Sequence, residues 1–274
     1  MMREKFGKII SLIFGFVFCC NFIIAQNDTI QLQAVFSGNF KIYYSTKDNL
    51  GNWYFVDSLF SIKKYRQDGK LLANYDNTRF GDVTSIDATN PFQVFTFYQP
   101  QQKVIQLDNT LNEIVAINLQ NFDLYDVRVA CRSNDNQLWV FDAYRYQLIK
   151  KSIQGETIVE SIPIETYIGK SILPTFLIER NNKVFIGVEN YGLLVFDNFG
   201  KYLQTILLSN AKNFKIDDEF ILFSKNGNSY ILETNQFNIE LLPTSTISNE
   251  YIRYHNNIII NENHSFSVYN ISKH

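Results

Sequence analysis

Carboxylates in this 274-residue chain recur beside short apolar runs, where they could form one site if the runs converge. These carboxylates are Asp82, Asp87, Asp126, Glu179, Asp217, Asp218, Glu219 and Glu250. Oxygen ligands of this kind suit calcium or another divalent cation, and a bound cation could support hydrolysis or elimination on a small substrate. Acidic residues beside turns are also typical solvated caps. Because the sequence contains no Asp-x-Asp-x-Asp-Gly loop, the caps are the favoured interpretation and we assign no metal ligand.

Arginines lie on or just after the same runs, namely Arg128, Arg132, Arg180 and Arg253. Arg128 and Arg253 stand at comparable positions in their segments, and together they predict a cationic mouth that binds a carboxylate or an acidic sugar. Pairing with nearby acidic residues is the alternative. His255 follows one run and is expected either in the same mouth or in a turn, bonded to backbone or water. The binding candidates are therefore Arg128, Arg253, Asp87, Glu179 and His255, and no residue is assigned a catalytic role.

Several other chemistries have no motif in the sequence. It contains no GxGxxG or GxxxxGK[ST] phosphate loop, no GxSxG nucleophile elbow and no HExxH zinc motif. The formal net charge is -2, so no basic field would attract nucleic acid. We predict no nucleic-acid partner and assign no cofactor, with calcium or another divalent cation left as the alternative.

The first 25 residues have the pattern of a secretory signal. Residues 1–8 are cationic, and residues 9–25 are uncharged and apolar. We predict cleavage between Ala25 and Gln26, with an uncleaved anchor as the alternative, and no transmembrane segment after cleavage. The mature chain would be exported to the periplasm, the outer membrane or the outside of a Gram-negative bacterium. It would retain Cys131 alone of the three cysteines, and we expect this residue to be buried.

The rest of the chain has the composition of a folded all-β domain. Hydrophobic residues make up 46% of the sequence and charged residues 19%, with 24 Phe and 16 Tyr, which excludes a disordered chain. Short runs rich in Val, Ile, Phe and Tyr alternate with Asn, Asp, Gly and Ser clusters, without the 3.6-residue spacing of amphipathic helices.

Six segments of the chain repeat one arrangement of strand, turn and strand. A first strand leads through an Asn or Asp turn into a strongly apolar second strand, and two further strands follow in most units. The predicted first strands are 40–44, 83–87, 127–131, 175–178, 214–216 and 251–254. The predicted second strands are 53–56, 94–97, 138–141, 184–187, 220–223 and 258–260.

The two ends of the chain complement each other in this pattern. The last unit lacks a fourth strand, whereas the alternating run 29–35 is a strand in excess before the first unit. Pairing the two closes a ring and removes exposed sheet edges. We predict one domain over residues 26–274, an all-β propeller of six four-stranded blades closed by the N-terminal strand. Five or seven blades are the alternatives, because the fifth unit is short.

Two blade patterns resemble a known family. They are Trp53-Tyr54-Phe55-Val56 with Ile62-Lys63-Lys64-Tyr65 and Asp68-Gly69-Lys70, and Trp139-Val140-Phe141-Asp142 with Leu148-Ile149-Lys150-Lys151 and Gln154-Gly155. They look like NHL-type six-bladed propellers, and residues 82–119 resemble exported bacterial propeller-like proteins of unknown role. The fifth unit, which lacks Trp and Gly-Lys, departs from the pattern.

The resemblance implies a fold and no activity. We expect an exported, non-catalytic propeller that binds a protein or a glycan in the cell envelope. The alternative is a metal-dependent hydrolase or lyase with a cation held by carboxylates in the central channel, as in six-bladed lactonases and lyases, and it depends on fold analogy.

Overall fold

The described residues of this computed structural model, 30–76, 79–242, 251–262 and 264–273, form six four-stranded antiparallel sheets arranged as a propeller. The first strand of the chain is β1 (Ile30–Gly38). Blade 1 contains β2 (Tyr44–Lys47), β3 (Trp53–Val56), β4 (Ile62–Tyr65) and β5 (Leu71–Tyr75). Blade 2 contains β6 (Ser85–Asp87), β7 (Val94–Tyr98), β8 (Lys103–Leu107) and β9 (Glu113–Asn118). Blade 3 contains β10 (Val127–Arg132), β11 (Leu138–Asp142), β12 (Gln147–Lys151) and β13 (Thr157–Glu160).

The second half of the ring repeats this order. Blade 4 contains β14 (Phe176–Arg180), β15 (Lys183–Val188), β16 (Gly192–Asp197) and β17 (Tyr202–Leu207). Blade 5 contains β18 (Ala211–Asp217), β19 (Phe220–Lys225), β20 (Asn228–Glu233) and β21 (Ile239–Leu241). Blade 6 contains β22 (Tyr251–Arg253), β23 (Asn257–Asn261) and β24 (Phe266–Lys273). A one-turn 3-10 helix, Leu119–Phe122, and a one-turn α-helix, α1 (Glu165–Ile168), lie between blades.

The ring closes through the N-terminal strand, as predicted. Strand β1 completes blade 6 by pairing antiparallel with β24, from Ile30 opposite Lys273 to Gly38 opposite Phe266. The predicted count of six blades is therefore confirmed. The predicted signal segment, residues 1–25, lies outside the described residues.

One predicted strand is displaced along the chain. The first strand of blade 1 was expected over residues 40–44, but it spans Tyr44–Lys47. The residues before it form the connection from blade 6, because Asn261 binds the backbone of Ile42 through its side-chain amide. The Ile42 N–H donates to Asn261 Oδ1 at 3.0 Å, and Asn261 Nδ2 donates to the Ile42 carbonyl at 2.7 Å.

Acidic residues shape several hairpins that connect the strands. In each, an aspartate accepts the N–H groups of the second and fourth residues after it, a local bond that stabilises the turn. These aspartates are Asp48, Asp57, Asp108 and Asp197. The third residue after each has a positive φ, and two of the four turns place glycine there, Gly51 and Gly200. Two of the four turns therefore use glycine, the residue that adopts a positive φ with the least steric strain.

The core lies between neighbouring blades. All residues of β3, β7 and β11 are buried, because a middle strand has a blade on each of its faces. The outer strands are mostly exposed, as in β5. Cys131 is buried, as predicted, and burial raises the pKa of its thiol. Within the described part of the chain no helix is long and apolar enough to cross a membrane.

Candidate functional site

The six innermost strands, which begin the blades, all run in the same direction along the ring axis. We call the face where they begin the start face, and the face where they turn into the second strands the turn face. Lys47, Asp87, Arg132, Arg180, Asp217 and Arg253 end these strands at the turn face.

Two predicted candidates, Asp87 and Glu179, connect blades at the turn face. Asp87 Oδ2 accepts the backbone N–H of Arg132 in the next blade at 3.3 Å. Glu179 Oε2 accepts the indole N–H of Trp139 at 2.7 Å and the backbone N–H of Asn134 at 3.3 Å. Both carboxylates are buried. Their lone pairs thus satisfy N–H groups of neighbouring blades.

His255 lies in a turn at the same face. Its backbone N–H donates to Asp217 Oδ2 at 2.8 Å, and its ring packs edge-on against Phe220 with centroids 4.6 Å apart. Asp217 Oδ1 lies 3.7 Å from Lys47 Nζ. The imidazole is therefore part of the contact between blades 5 and 6.

Arg128 and Arg253 lie at different levels of the channel. Arg253 stands opposite Ile258 beside the hairpin turn, and in blade 3 the residue in that position is Arg132, opposite Leu138. The expected equivalence of Arg128 and Arg253 is therefore wrong, because Arg128 lies four residues earlier in its strand. Arg128 instead forms an exposed ion pair with Asp126, with Nε and Oδ1 3.0 Å apart.

Arg253 is buried and holds the turn that follows it. Its Nη1 donates to the carbonyl oxygens of Tyr254, His255 and Asn257. Burial lowers the pKa of Arg253 to about 10, an effect that Tyr251 and Asp217 oppose. Among the described residues, no group of three or more His, Cys, Asp or Glu side chains could hold a metal ion.

A cavity of about 440 Å³ opens in the ring beside Arg253. We call it the axial cavity. Its wall includes Tyr43 of the connection before blade 1, Tyr44 of blade 1, Phe214 and Lys215 of blade 5, and Tyr251 and Arg253 of blade 6. Of the five binding candidates predicted from the sequence, only Arg253 is among the described residues that line this cavity. The cavity combines two cationic side chains with aromatic faces.

Lys215 is the residue of this cavity that sequence analysis missed. Its Nζ lies 3.3 Å from Ser45 Oγ, and 5.6 Å and 5.8 Å from the ring centroids of Tyr44 and Tyr254. Burial lowers the pKa of Lys215 to about 8. The ion pairs seen among the described residues do not include Lys215. The only sequence signal was a lysine inside an apolar strand, Phe214-Lys215-Ile216.

A second, polar depression of about 340 Å³ adjoins the axial cavity and shares Ser224 with it. We call it the amide groove. Its walls include Asn190, Asn210, Lys212 and Asn226. Sequence neighbours of two of these residues, Glu189 and Asn213, line the axial cavity. The two depressions therefore lie side by side over blades 4 and 5.

Lys215 should titrate near pH 8, well below the ordinary lysine value of 10.5. Tyr44 and Tyr254 lie beside its amine, Tyr251, Arg253 and Glu189 line the same cavity, and Asp217 is two residues further along β18. Because the unfolded chain holds the proton more tightly than the folded chain, the folded wild type should gain stability relative to Lys215→Met as pH rises from about 8 to 10.5. Urea unfolding of both proteins across this range measures the difference. The exposed control Lys201→Met should parallel the wild type, and a constant difference for Lys215→Met would contradict the shift.

Comparison with known proteins supports the fold and no specific activity. No family model matches the chain, and a search of curated proteins finds no match. Virginiamycin B lyase from Staphylococcus aureus is 13% identical with a TM-score of 0.61, over 88% of this chain and 99% of that one. The Neurospora crassa Pan2 WD40 domain is 9% identical with a TM-score of 0.60, over 87% and 95%.

An extracellular domain of a hybrid two-component system from B. thetaiotaomicron is also similar. It is 10% identical with a TM-score of 0.50, and the match covers 83% of this chain and 33% of that one. At these identities the likeness shows the propeller fold alone. The finer NHL-type resemblance is not confirmed.

Proposed function

We propose that this chain is an exported, non-catalytic propeller that binds an acidic saccharide in the axial cavity. The observation that carries the proposal is the presence of Lys215 and Arg253 in one aromatic-walled cavity, without an ion pair to Lys215 among the described residues. A ligand carboxylate would supply the missing negative charge.

The walls of the cavity favour a sugar over a simple anion. Tyrosine rings offer an apolar face to the C–H side of a sugar ring and a hydroxyl to its polar edge. Tyr43 is 61% exposed at the cavity, so a ligand can reach it. Small-molecule sites typically combine an apolar wall with a few polar groups in this way.

The amide groove favours a glycan over a protein partner. Side chains of Asn190, Asn210 and Asn226 can both donate to and accept from sugar hydroxyls. A chain of sugars seated in the axial cavity could extend past Ser224 towards the adjoining amide groove. The core of a protein interface is more apolar and depleted in charged residues.

Export is supported by the sequence of residues 1–25 and by the extracellular location of one structural neighbour. We place the protein in the envelope of a Gram-negative bacterium, in the periplasm or associated with the outer membrane. A metal-dependent hydrolase or lyase is the competing proposal. It gains support from the fold shared with virginiamycin B lyase.

Calorimetric titration of residues 26–274 should show binding of galacturonic acid oligomers and weak or no binding of galactose oligomers. Lys215→Met should lower the affinity for the acidic oligomer at least about tenfold, since it removes a charge from a desolvated pair. Lys201→Met, an exposed charge on the β16–β17 turn, should leave the affinity within about twofold. Circular dichroism controls for folding. Equal affinity for both oligomers, or unchanged affinity in Lys215→Met, would refute the proposal, and a stoichiometric cation with turnover would favour the enzyme.

A further inference from the structure

We propose that Lys215 is a nucleophilic amine that forms an imine with the carbonyl carbon of a small oxo acid or a ring-opened acidic sugar in the axial cavity. The inference uses the cavity of the proposed function, but it adds a covalent reaction that binding does not require.

The position of the amine supports this chemistry. Lys215 lines a cavity large enough for a small ligand, and its Nζ lies within 6 Å of the ring centroids of both Tyr44 and Tyr254, at 5.6 Å and 5.8 Å. Two other buried lysines lie near carboxylates: Lys64 Nζ is 3.9 Å from Asp48, and Lys150 Nζ is 2.8 Å from Asp135. None of the ion pairs among the described residues includes Lys215, and burial lowers the pKa of its amine. Burial also lowers the pKa of Lys64, but there the carboxylate of Asp48 opposes the effect. A desolvated lysine of this kind is the usual imine-forming residue.

Two hydroxyl groups beside Lys215 can move protons. Tyr254 donates a hydrogen bond of 2.7 Å to Ser45 Oγ, and Ser45 Oγ lies 3.3 Å from Lys215 Nζ. Tyr254 is fully buried, and burial raises the pKa of its hydroxyl well above the ordinary value. It therefore keeps its proton at neutral pH and holds Ser45 by a hydrogen bond, and Ser45 can pass a proton to or from the amine.

Arg253 provides the charge that a ligand carboxylate would need. Arg253 lines the cavity, and hydrogen bonds from its Nη1 to three backbone carbonyls of the following turn hold its guanidinium in place. Glu189, the acidic residue among those described in the wall, accepts the backbone N–H of Asn213 at 3.1 Å. A molecule with a carboxylate close to a carbonyl could thus be held by Arg253 and attacked by Lys215.

The reaction balances without an oxidant or a reductant. The lone pair of Nζ forms a bond to the carbonyl carbon while the C=O π electrons move to oxygen, which takes a proton. Nitrogen loses one proton through Ser45 or water to give the carbinolamine. Water or Ser45 then protonates the carbinolamine hydroxyl, which leaves as water, and nitrogen returns its second proton to the same donor. The products are a C=N bond and one water molecule, and hydrolysis reverses the step.

Reductive trapping tests the proposal directly. Residues 26–274 are incubated with pyruvate and cyanoborohydride, which reduces an imine to a stable secondary amine, and peptides are analysed by mass spectrometry. Lys215 should be modified at least about tenfold faster than exposed Lys201 and buried Lys151, which donates to Thr157 at 2.7 Å, because burial lowers the pKa of Lys215 and its side chain lines the cavity. Lactate, which has no carbonyl to attack, should give no adduct.

Two variants separate chemistry from folding. Lys215→Met should abolish the fast adduct, and Ser45→Ala, which keeps the amine, should slow it several-fold. Similar modification of all lysines, or an unmodified Lys215 in a protein with the wild-type circular dichroism spectrum, would overturn the proposal. Binding of oligogalacturonate without an adduct would support the proposed binding function and contradict imine formation. An adduct without oligogalacturonate binding would support imine formation and contradict the proposed binding function.

Discussion

A chain that begins at Asn39 should lose the cooperative unfolding that a chain beginning at Ile30 retains. Strand β1 pairs with β24 at eight positions, and it supplies the outermost strand of blade 6. Phe36 of this strand packs against Phe55, Tyr65 and Phe266 with ring centroids 5.8 to 6.3 Å apart. Without β1, blade 6 loses its outer strand and the ring is no longer closed.

The expected loss is a large share of the total stability. Replacing one core phenylalanine by alanine lowers the free energy of unfolding by about 3–5 kcal/mol. The free energy of unfolding of a whole domain is only about 5–15 kcal/mol. The shortened chain should therefore unfold at much lower urea concentration and associate through the exposed edge of β24. Urea unfolding and size-exclusion chromatography measure both effects. The chain from Ile30 is the matched control, and equal unfolding midpoints would show that the pairing contributes little.

Glu179→Ala should destabilise the protein by about 3 kcal/mol, because the buried Trp139 indole N–H would lose its acceptor. Glu179→Gln keeps an acceptor oxygen, so it should cost about 1 kcal/mol. Glu156→Ala, an exposed carboxylate in blade 3, should change the unfolding free energy by less than about 0.5 kcal/mol.

Chemical denaturation of the three variants checks this order. A stable Glu179→Ala protein with altered ligand binding would contradict the structural role and return Glu179 to the binding candidates. The same logic applies to Asp87, whose carboxylate accepts a backbone N–H of blade 3. Acidic residues that sequence analysis placed in a channel can thus act as connections between blades.

The blade count was predictable because its signals are local. An apolar strand such as Trp53–Val56 and a turn aspartate such as Asp48 are recognisable within a few residues. Counting strands also predicted that the ring closes, because one end of the chain has an excess strand and the other end lacks one. The pairing of β1 with β24 confirms this closure. The displaced first strand of blade 1 was not predictable, since Asn261, more than two hundred residues away, binds the backbone of Ile42.

The candidate site depended on tertiary structure. Arg128 and Arg253 appeared equivalent in the sequence, but strand register, which sets the level of every side chain along the channel, aligns Arg253 with Arg132. Little in the sequence distinguishes Lys215 from other lysines. Its special environment arises in the folded ring, where Ser45, 170 residues away in the chain, lies 3.3 Å from its amine. Burial lowers its pKa, and this burial arises from the packing of blades 1, 5 and 6 around one cavity. Local sequence therefore determined the strands and turns of this protein, whereas the environment of each charge was decided by contacts between blades distant in the chain.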